Sequence, residues 1–97
     1  MTIQDEAGTV RPVHLITVQV SFPVSAKGPY RTQVPPQETT GSVRMAAMGF
    51  FEVSDGADYA YLLTHGGQDV PDDRTVGQVA GEKDSVEFRL VKKITQG

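Results

Sequence analysis

The hydrophobic period of this chain switches from two to that of a helix and then back again, and that switch limits the folds open to it. Residues 13–22, VHLITVQVSF, alternate: Ile16, Val18, Val20 and Phe22 fall on one face and Thr17, Gln19 and Ser21 on the other, as a half-buried strand requires. Residues 30–34, YRTQV, alternate again after PVSAKGP, whose proline and glycine mark a turn, so the two runs read as a hairpin with a loop longer than two residues. In TTGSVRMAAMGFFEV the pattern changes, with Val43, Ala46, Ala47 and Phe50 at i, i+3, i+4 and i+7, one face of a helix. The spacing predicts a helix from Gly41 to Val53, with Thr40 as its N-cap and Gly56 free to take the left-handed conformation that ends it. Alternation returns in YAYLLTH, residues 59–65, and in SVEFRLVKKI, where Val86, Phe88 and Leu90 interleave with Glu87 and Arg89. Between these runs GGQD reads as a turn, VP as a short strand ended by Pro71, and Val76 with Val79 as one buried turn of helix.

A single amphipathic helix set among four or five strands can bury its stripe only against one face of one sheet. The expected class is therefore α+β, a mixed four- to five-stranded sheet with one helix packed across it. The helical crossover lets the first and last strands pair as parallel neighbours in the middle of the sheet, which is the β-grasp arrangement. Residues 1–12 show no periodicity and end in proline, so they read as a flexible leader; 13–93 form the domain, and 94–97 a flexible tail.

Ninety-seven residues suffice for one core. A net charge of −3 with scattered Lys and Arg offers no basic stripe, which argues against nucleic acid and against an anionic membrane surface. The chain has no cysteine, so thiolate metal sites, disulfides and thiol nucleophiles are excluded, and the protein cannot itself be a thioester-forming enzyme. The polar start MTIQDEAGTVRP is not a secretory signal, and the cytoplasm is the simplest address.

Several groups of residue types used in catalysis or metal binding have plainer readings. HGG, residues 65–67, lacks the nucleophile elbow that an esterase would need and reads as a glycine turn. His14 and His65 read as partly exposed strand histidines, while Asp55, Asp58, Asp72 and Asp73 miss the calcium-loop spacing and read as turn and cap residues; no metal is expected. Phe50 belongs to the expected buried stripe, and Phe51 lies at its margin as a candidate contact residue.

The stretch AYLLTHGGQDVPDDRTVGQVAGEKDSVEFRLVKK resembles ubiquitin and its relatives. It has their third strand, glycine turn, acidic pair followed by Arg-Thr and an apolar residue, short helical turn, charged Lys-Asp-Ser loop and final Val-x-Phe-x-Leu strand. The likeness runs coarsely from Val13 to Gly97, and Lys92, Lys93, Ile94, Thr95, Gln96 and Gly97 match the family's basic strand end and flexible tail closing on glycine. The resemblance implies a protein modifier, not an enzyme. An activating enzyme would use ATP to adenylate the Gly97 carboxylate, a conjugating enzyme would join it to a target lysine, and a deconjugating peptidase could reverse the step. The modifier itself would bind no cofactor. Gly97 would be the reacting residue, with residues 92–96 as the recognised tail.

Departures from the family narrow that implication. Gln96 stands where the family usually has a first glycine, which weighs against sulfur-carrier chemistry and a standard activating enzyme; a specialised route such as the ubiquitination-like operons of bacteria suits such a tail better. Thr64 and Arg89 occupy the places of the family's apolar reader patch, and Gln68 replaces its best-known acceptor lysine, whereas Lys83 keeps a counterpart as an acceptor candidate. The alternative is a non-covalent β-grasp interaction module, which would have no need of a free terminal glycine.

Overall fold

The structure, a computed structural model, describes residues 14–95; the expected leader, 1–12, together with Gln96 and Gly97, lies outside the described residues. β-branched side chains at alternate positions build β1 (Ile16–Ser21), which turns back into β2 (Tyr30–Val34). Helix α1 (Thr40–Phe51) crosses to β3 (Tyr59–His65), followed by β4 (Gln68–Val70), the one-turn helix α2 (Val76–Ala80) and the long β5 (Ser85–Ile94). The sheet order is β2-β1-β5-β3-β4. β1 and β5 are parallel at its centre, with Val18 opposite Val86 and Val20 opposite Phe88, and the other pairs are antiparallel. Ile16, Val18, Val20, Leu63, Val86, Phe88 and Leu90 face α1 and are buried, so the strand parity expected from the sequence is the parity that folds.

The turn after β3 is tighter than GGQD suggests. His65 pairs directly with Gln68, and only Gly66 (φ 60°) and Gly67 (φ 84°) form the loop. Two successive left-handed residues are what a two-residue hairpin turn compatible with strand twist demands, and glycine adopts them without a Cβ clash. β4 therefore starts at Gln68, two residues ahead of the expected strand at Val70.

The helix keeps its place but shows a different face. Its buried residues are Thr40, Val43, Ala47, Met48 and Phe51, while Phe50 is 38% exposed and Ala46 lies at the surface. Phe51 packs its ring on Phe22 at 5.2 Å, and Phe50 instead stacks on Tyr30 at the helix margin. The run MAAMGFF is apolar on two adjacent stripes. The winning stripe carries both Met48 and Phe51 into the core, and it is continuous with Thr40, whose hydroxyl donates to the Pro71 carbonyl 31 residues away.

Thr40 is thus the first helical residue, and Thr39 is the N-cap, its hydroxyl accepting from the Ser42 amide at 3.1 Å. At the other end it is Glu52, at φ 61° and ψ 44°, and not Gly56, that takes the left-handed conformation, and the Val53 amide closes onto the Met48 carbonyl at 3.0 Å. The two helices share their starts: the Thr40 amide donates to Arg74 O, Gly41 N to Asp72 O, Val76 N to Glu38 O and Gly77 N to Pro36 O. Donors left over at one helix N-terminus are satisfied by the segment leading into the other. Arg44 locks the same corner, its fork meeting Asp72 at 2.9 Å through both Nε and Nη2 and reaching the Tyr61 carbonyl at 3.2 Å. Hydrogen bonding to Asp72, partly opposed by desolvation and reinforced by the charges of Asp72 and Asp55, holds the guanidinium pKa above its ordinary value.

Candidate functional site

Strand β5 runs through the middle of the sheet and carries the chain to its C-terminal end, so the residues expected to form the tail are presented by the most firmly held element of the fold. Its last turn of ladder lies against β3, with Lys92 opposite Tyr61, Lys93 opposite Ala60 and Ile94 opposite Tyr59. Ile94, expected in the tail, is the final residue of β5, and the Thr95 amide donates to the Asp58 carbonyl at 2.8 Å. The ordered strand goes one residue beyond the expected boundary after Lys93 because the loop into β3 supplies one more acceptor for it.

Each basic side chain at this end has a distinct partner. Lys92 Nζ lies 4.3 Å from the centre of the Tyr59 ring, a cation–π contact, and Lys93 Nζ meets Asp69 Oδ2 at 3.2 Å. Tyr59 is itself fixed edge-on to Tyr61, with centroids 6.0 Å apart, and lies under Gly56, where a Cβ would come within 2.4 Å of the ring. Gly56 is thus required for close approach, not for helix termination. Ile94 leaves its side chain 70% exposed at the strand's end. Gln96 and Gly97 lie outside the described residues.

Asp58, Tyr59 and Asp69 complete this end of the molecule, and the sequence alone does not single them out for it. Alternation marks β3 and β5 as strands but leaves their register open, and register is what sets Lys93 beside Asp69. Thr64 and Arg89, by contrast, do fall opposite one another on the open face of the sheet, the Thr64 hydroxyl donating to the Arg89 carbonyl at 3.3 Å. Lys83 stands at the other end of β5, exposed in the loop after α2, beside His65 at a surface depression of about 500 Å³. Of the acidic residues read as turn and cap groups, Asp55 accepts from the Tyr61 amide at 2.8 Å and Asp72 holds Arg44. Among the described residues no three His, Cys, Asp or Glu side chains are grouped to hold a metal ion. Nor, among those residues, is any helix long and apolar enough to cross a membrane.

A parallel pair of strands at the centre of a mixed five-stranded sheet, with one long helix between the second and third strands packed across it, has counterparts among solved structures. The chain superposes on ubiquitin of Caldiarchaeum subterraneum with a TM-score of 0.65, 21% identity, and coverage of 86% of this chain and 99% of that one. This is the ubiquitin-like β-grasp fold. A structure described as molecular mimicry of SUMO that promotes DNA repair matches with a TM-score of 0.63 at 17% identity, over 84% of this chain and 95% of that one. Trypanosoma brucei ATG8 matches at 0.63 and 13% identity, over 87% and 78%. At these identities the likeness is one of fold. No family model matches the sequence, and no curated protein does.

Proposed function

We propose that the protein is a ubiquitin-like modifier, activated at the carboxylate of Gly97 and conjugated through it to lysine amines of target proteins. The observation that carries this reading is the path of β5, which leaves the sheet centre through Lys92, Lys93 and Ile94 and leads directly to Thr95, Gln96 and Gly97. In the reaction the Gly97 carboxylate attacks the α-phosphorus of ATP in the activating enzyme and displaces pyrophosphate. A cysteine thiolate of that enzyme then displaces AMP, and finally a lysine amine displaces the thiolate to give an amide. All the catalytic groups belong to the enzymes; this chain supplies the carboxylate and a handle.

The residues suit that division. Glycine at the reacting position has no β-carbon to obstruct a narrow channel or the approach of a nucleophile to its carbonyl. Lys92 and Lys93 give the exit a positive character suited to an acidic entry groove, so association should slow as salt rises. The bacterial ubiquitination-like pathways remain the route that the Gln96-Gly97 ending fits best. Lys83 as acceptor would place the accepting amine and the reacting tail at opposite ends of a ten-residue strand, roughly 30 Å apart, so linked copies would extend head to tail.

The test is a tagged pull-down from the native host, digested with trypsin and searched for lysines that carry Ile-Thr-Gln-Gly, the remnant left by cleavage after Lys93. Its presence on other proteins, and its loss on deletion of Gly97, is the expected result. Unmodified protein recovered with stoichiometric partners, unaffected by that deletion, would instead identify a non-covalent interaction module.

A further inference from the structure

Helix α1 has no charge on its outer face. Of residues 40–51 only Arg44 is charged, and its guanidinium turns off that face to Asp72 and the Tyr61 carbonyl. What remains toward solvent is Ser42, Met45, Ala46 and Gly49, with Met45 60% exposed. A surface helix normally sets charged residues opposite the core, and one without them is normally covered. Phe50 is engaged elsewhere, its ring stacked on Tyr30 toward β2. Gly49 sharpens the point, because glycine within a helix is destabilising relative to alanine. A β-carbon at Gly41, Gly56 or Gly77 would come within 2.9, 2.4 or 2.9 Å of a neighbour, and Gly66, Gly67 and Gly81 take positive φ. Gly49 has neither reason among the described residues: its φ is helical, and an added β-carbon would meet nothing within 4 Å. It leaves a dent on the outer face, one turn along from the Met45 side chain.

A knob and a dent on one row of one helix complement a second copy of themselves. A two-fold axis passing α1 at the level of Ala47 sets Met45 of each copy over Gly49 of the other, the reciprocity that an isologous contact requires. The two helices then lie antiparallel, with their dipoles opposed. Their ends match in charge as well. The Glu52–Lys27 pair of one copy reaches the N-terminal turn of the other, where Glu38, bonded to the Ser42 hydroxyl, offers the Lys27 ammonium a second carboxylate. The row between the ends carries no charge to be desolvated.

We propose that the outer face of α1 binds a second copy of this chain, antiparallel, through reciprocal contacts of Met45 with Gly49. One face of a helix about 18 Å long buries far less than the roughly 800 Å² per partner of a stable complex, so the pair is weak, with a dissociation constant on the order of 1 mM. Such a contact acts where copies are already held together, since a short linker gives an effective concentration in the same millimolar range. It uses neither Gly97 nor the open sheet face, so its failure and that of the conjugation reading are separate results.

The experiment follows the amide shifts of the isotope-labelled full chain on dilution from about 2 mM to about 0.05 mM, a range that brackets the expected constant. The expected result is concentration-dependent shifts concentrated in residues 42–52. A nitroxide on Ser42→Cys of an unlabelled copy, the only cysteine then present, reports the orientation. Antiparallel pairing should broaden Gly49 to Glu52 of the labelled copy more than Ser42. Gly49→Lys fills the dent while favouring the helix, so it should weaken association by roughly fivefold or more without lowering thermal stability. Shifts that do not depend on concentration, shifts centred on residues 30–34 or on the open sheet face, broadening strongest at Ser42, or undiminished association of Gly49→Lys would overturn the proposal.

Discussion

Glu52 occupies a backbone conformation that ordinary residues avoid, and the cost is met by its partners. Left-handed φ at a residue with a β-carbon is unfavourable by about 1 kcal/mol, and glycine or asparagine usually closes a helix in this way. Here Lys27 reaches across from the β1–β2 loop, its Nζ 2.9 Å from Glu52 Oε2 and 2.6 Å from the Phe50 carbonyl, while the ammonium also lies 5.0 Å from the Phe50 ring centre. A cation at a helix C-terminus meets the carbonyls that the helix leaves unpaired. The hydrogen bond from Lys27, and then its charge, hold the Glu52 carboxyl below its ordinary pKa. A depressed carboxyl pKa means stability that is present above the unfolded-state value and is lost as pH falls through the folded-state value. Since the carboxylate is fully exposed, the contribution is small and screened by salt. Lys27→Met should return the Glu52 titration to the ordinary carboxylate position, read by carbon-detected NMR across the acid range. An unchanged titration in that variant would mean that Lys27 is not its cause.

At the scale of elements, the helix shows how far periodicity can be trusted. Both Phe50 and Phe51 lie within reach of an apolar stripe, and only the position of Phe22 at the end of β1 decides between them. Phe51→Ala removes a ring that is 6% exposed and should cost about 3–5 kcal/mol, whereas Phe50→Ala, losing its contacts with Tyr30 and Lys27 at the surface, should cost about 1 kcal/mol. Urea denaturation of the two variants measures the difference, and equal losses would contradict the observed helix face. The strands were legible because alternation has only two phases, and a run such as Val86, Phe88, Leu90 leaves no ambiguity about which phase is buried. The helix was legible in extent and not in rotation, because MAAMGFF offers two stripes of similar character. Its left-handed end was hidden as well, since Gly56 is the residue that propensity favours and Glu52 is the one that tertiary contact selects.

At the scale of the whole molecule, the central placement of β5 ties the core to the end of the chain. The sequence discloses the outline of that end, basic residues running into a glycine, but not what holds it. The Thr95 amide bonds to Asp58, Lys92 covers Tyr59 and Lys93 pairs with Asp69, and all three partners come from elements distant in sequence. If Gly97 is the reacting residue, Thr95, Gln96 and Gly97 span roughly 10 Å beyond the last paired residue, which sets how deeply an enzyme can draw the carboxylate before the ladder must open. The outermost contacts are therefore the ones that activation would strain, and they are individually weak: the cation–π contact of an exposed lysine such as Lys92 is worth about 0.5–1 kcal/mol. Lys92→Met keeps the aliphatic stem on the Tyr59 ring and removes the charge. Hydrogen exchange at the Thr95 amide should then rise by roughly two- to fivefold, the factor matching that loss, while exchange at Phe88 in the sheet centre stays unchanged. A uniform rise at both sites would mean that Lys92 supports the fold as a whole, and no rise at Thr95 would mean that the Asp58 bond holds the strand end without it.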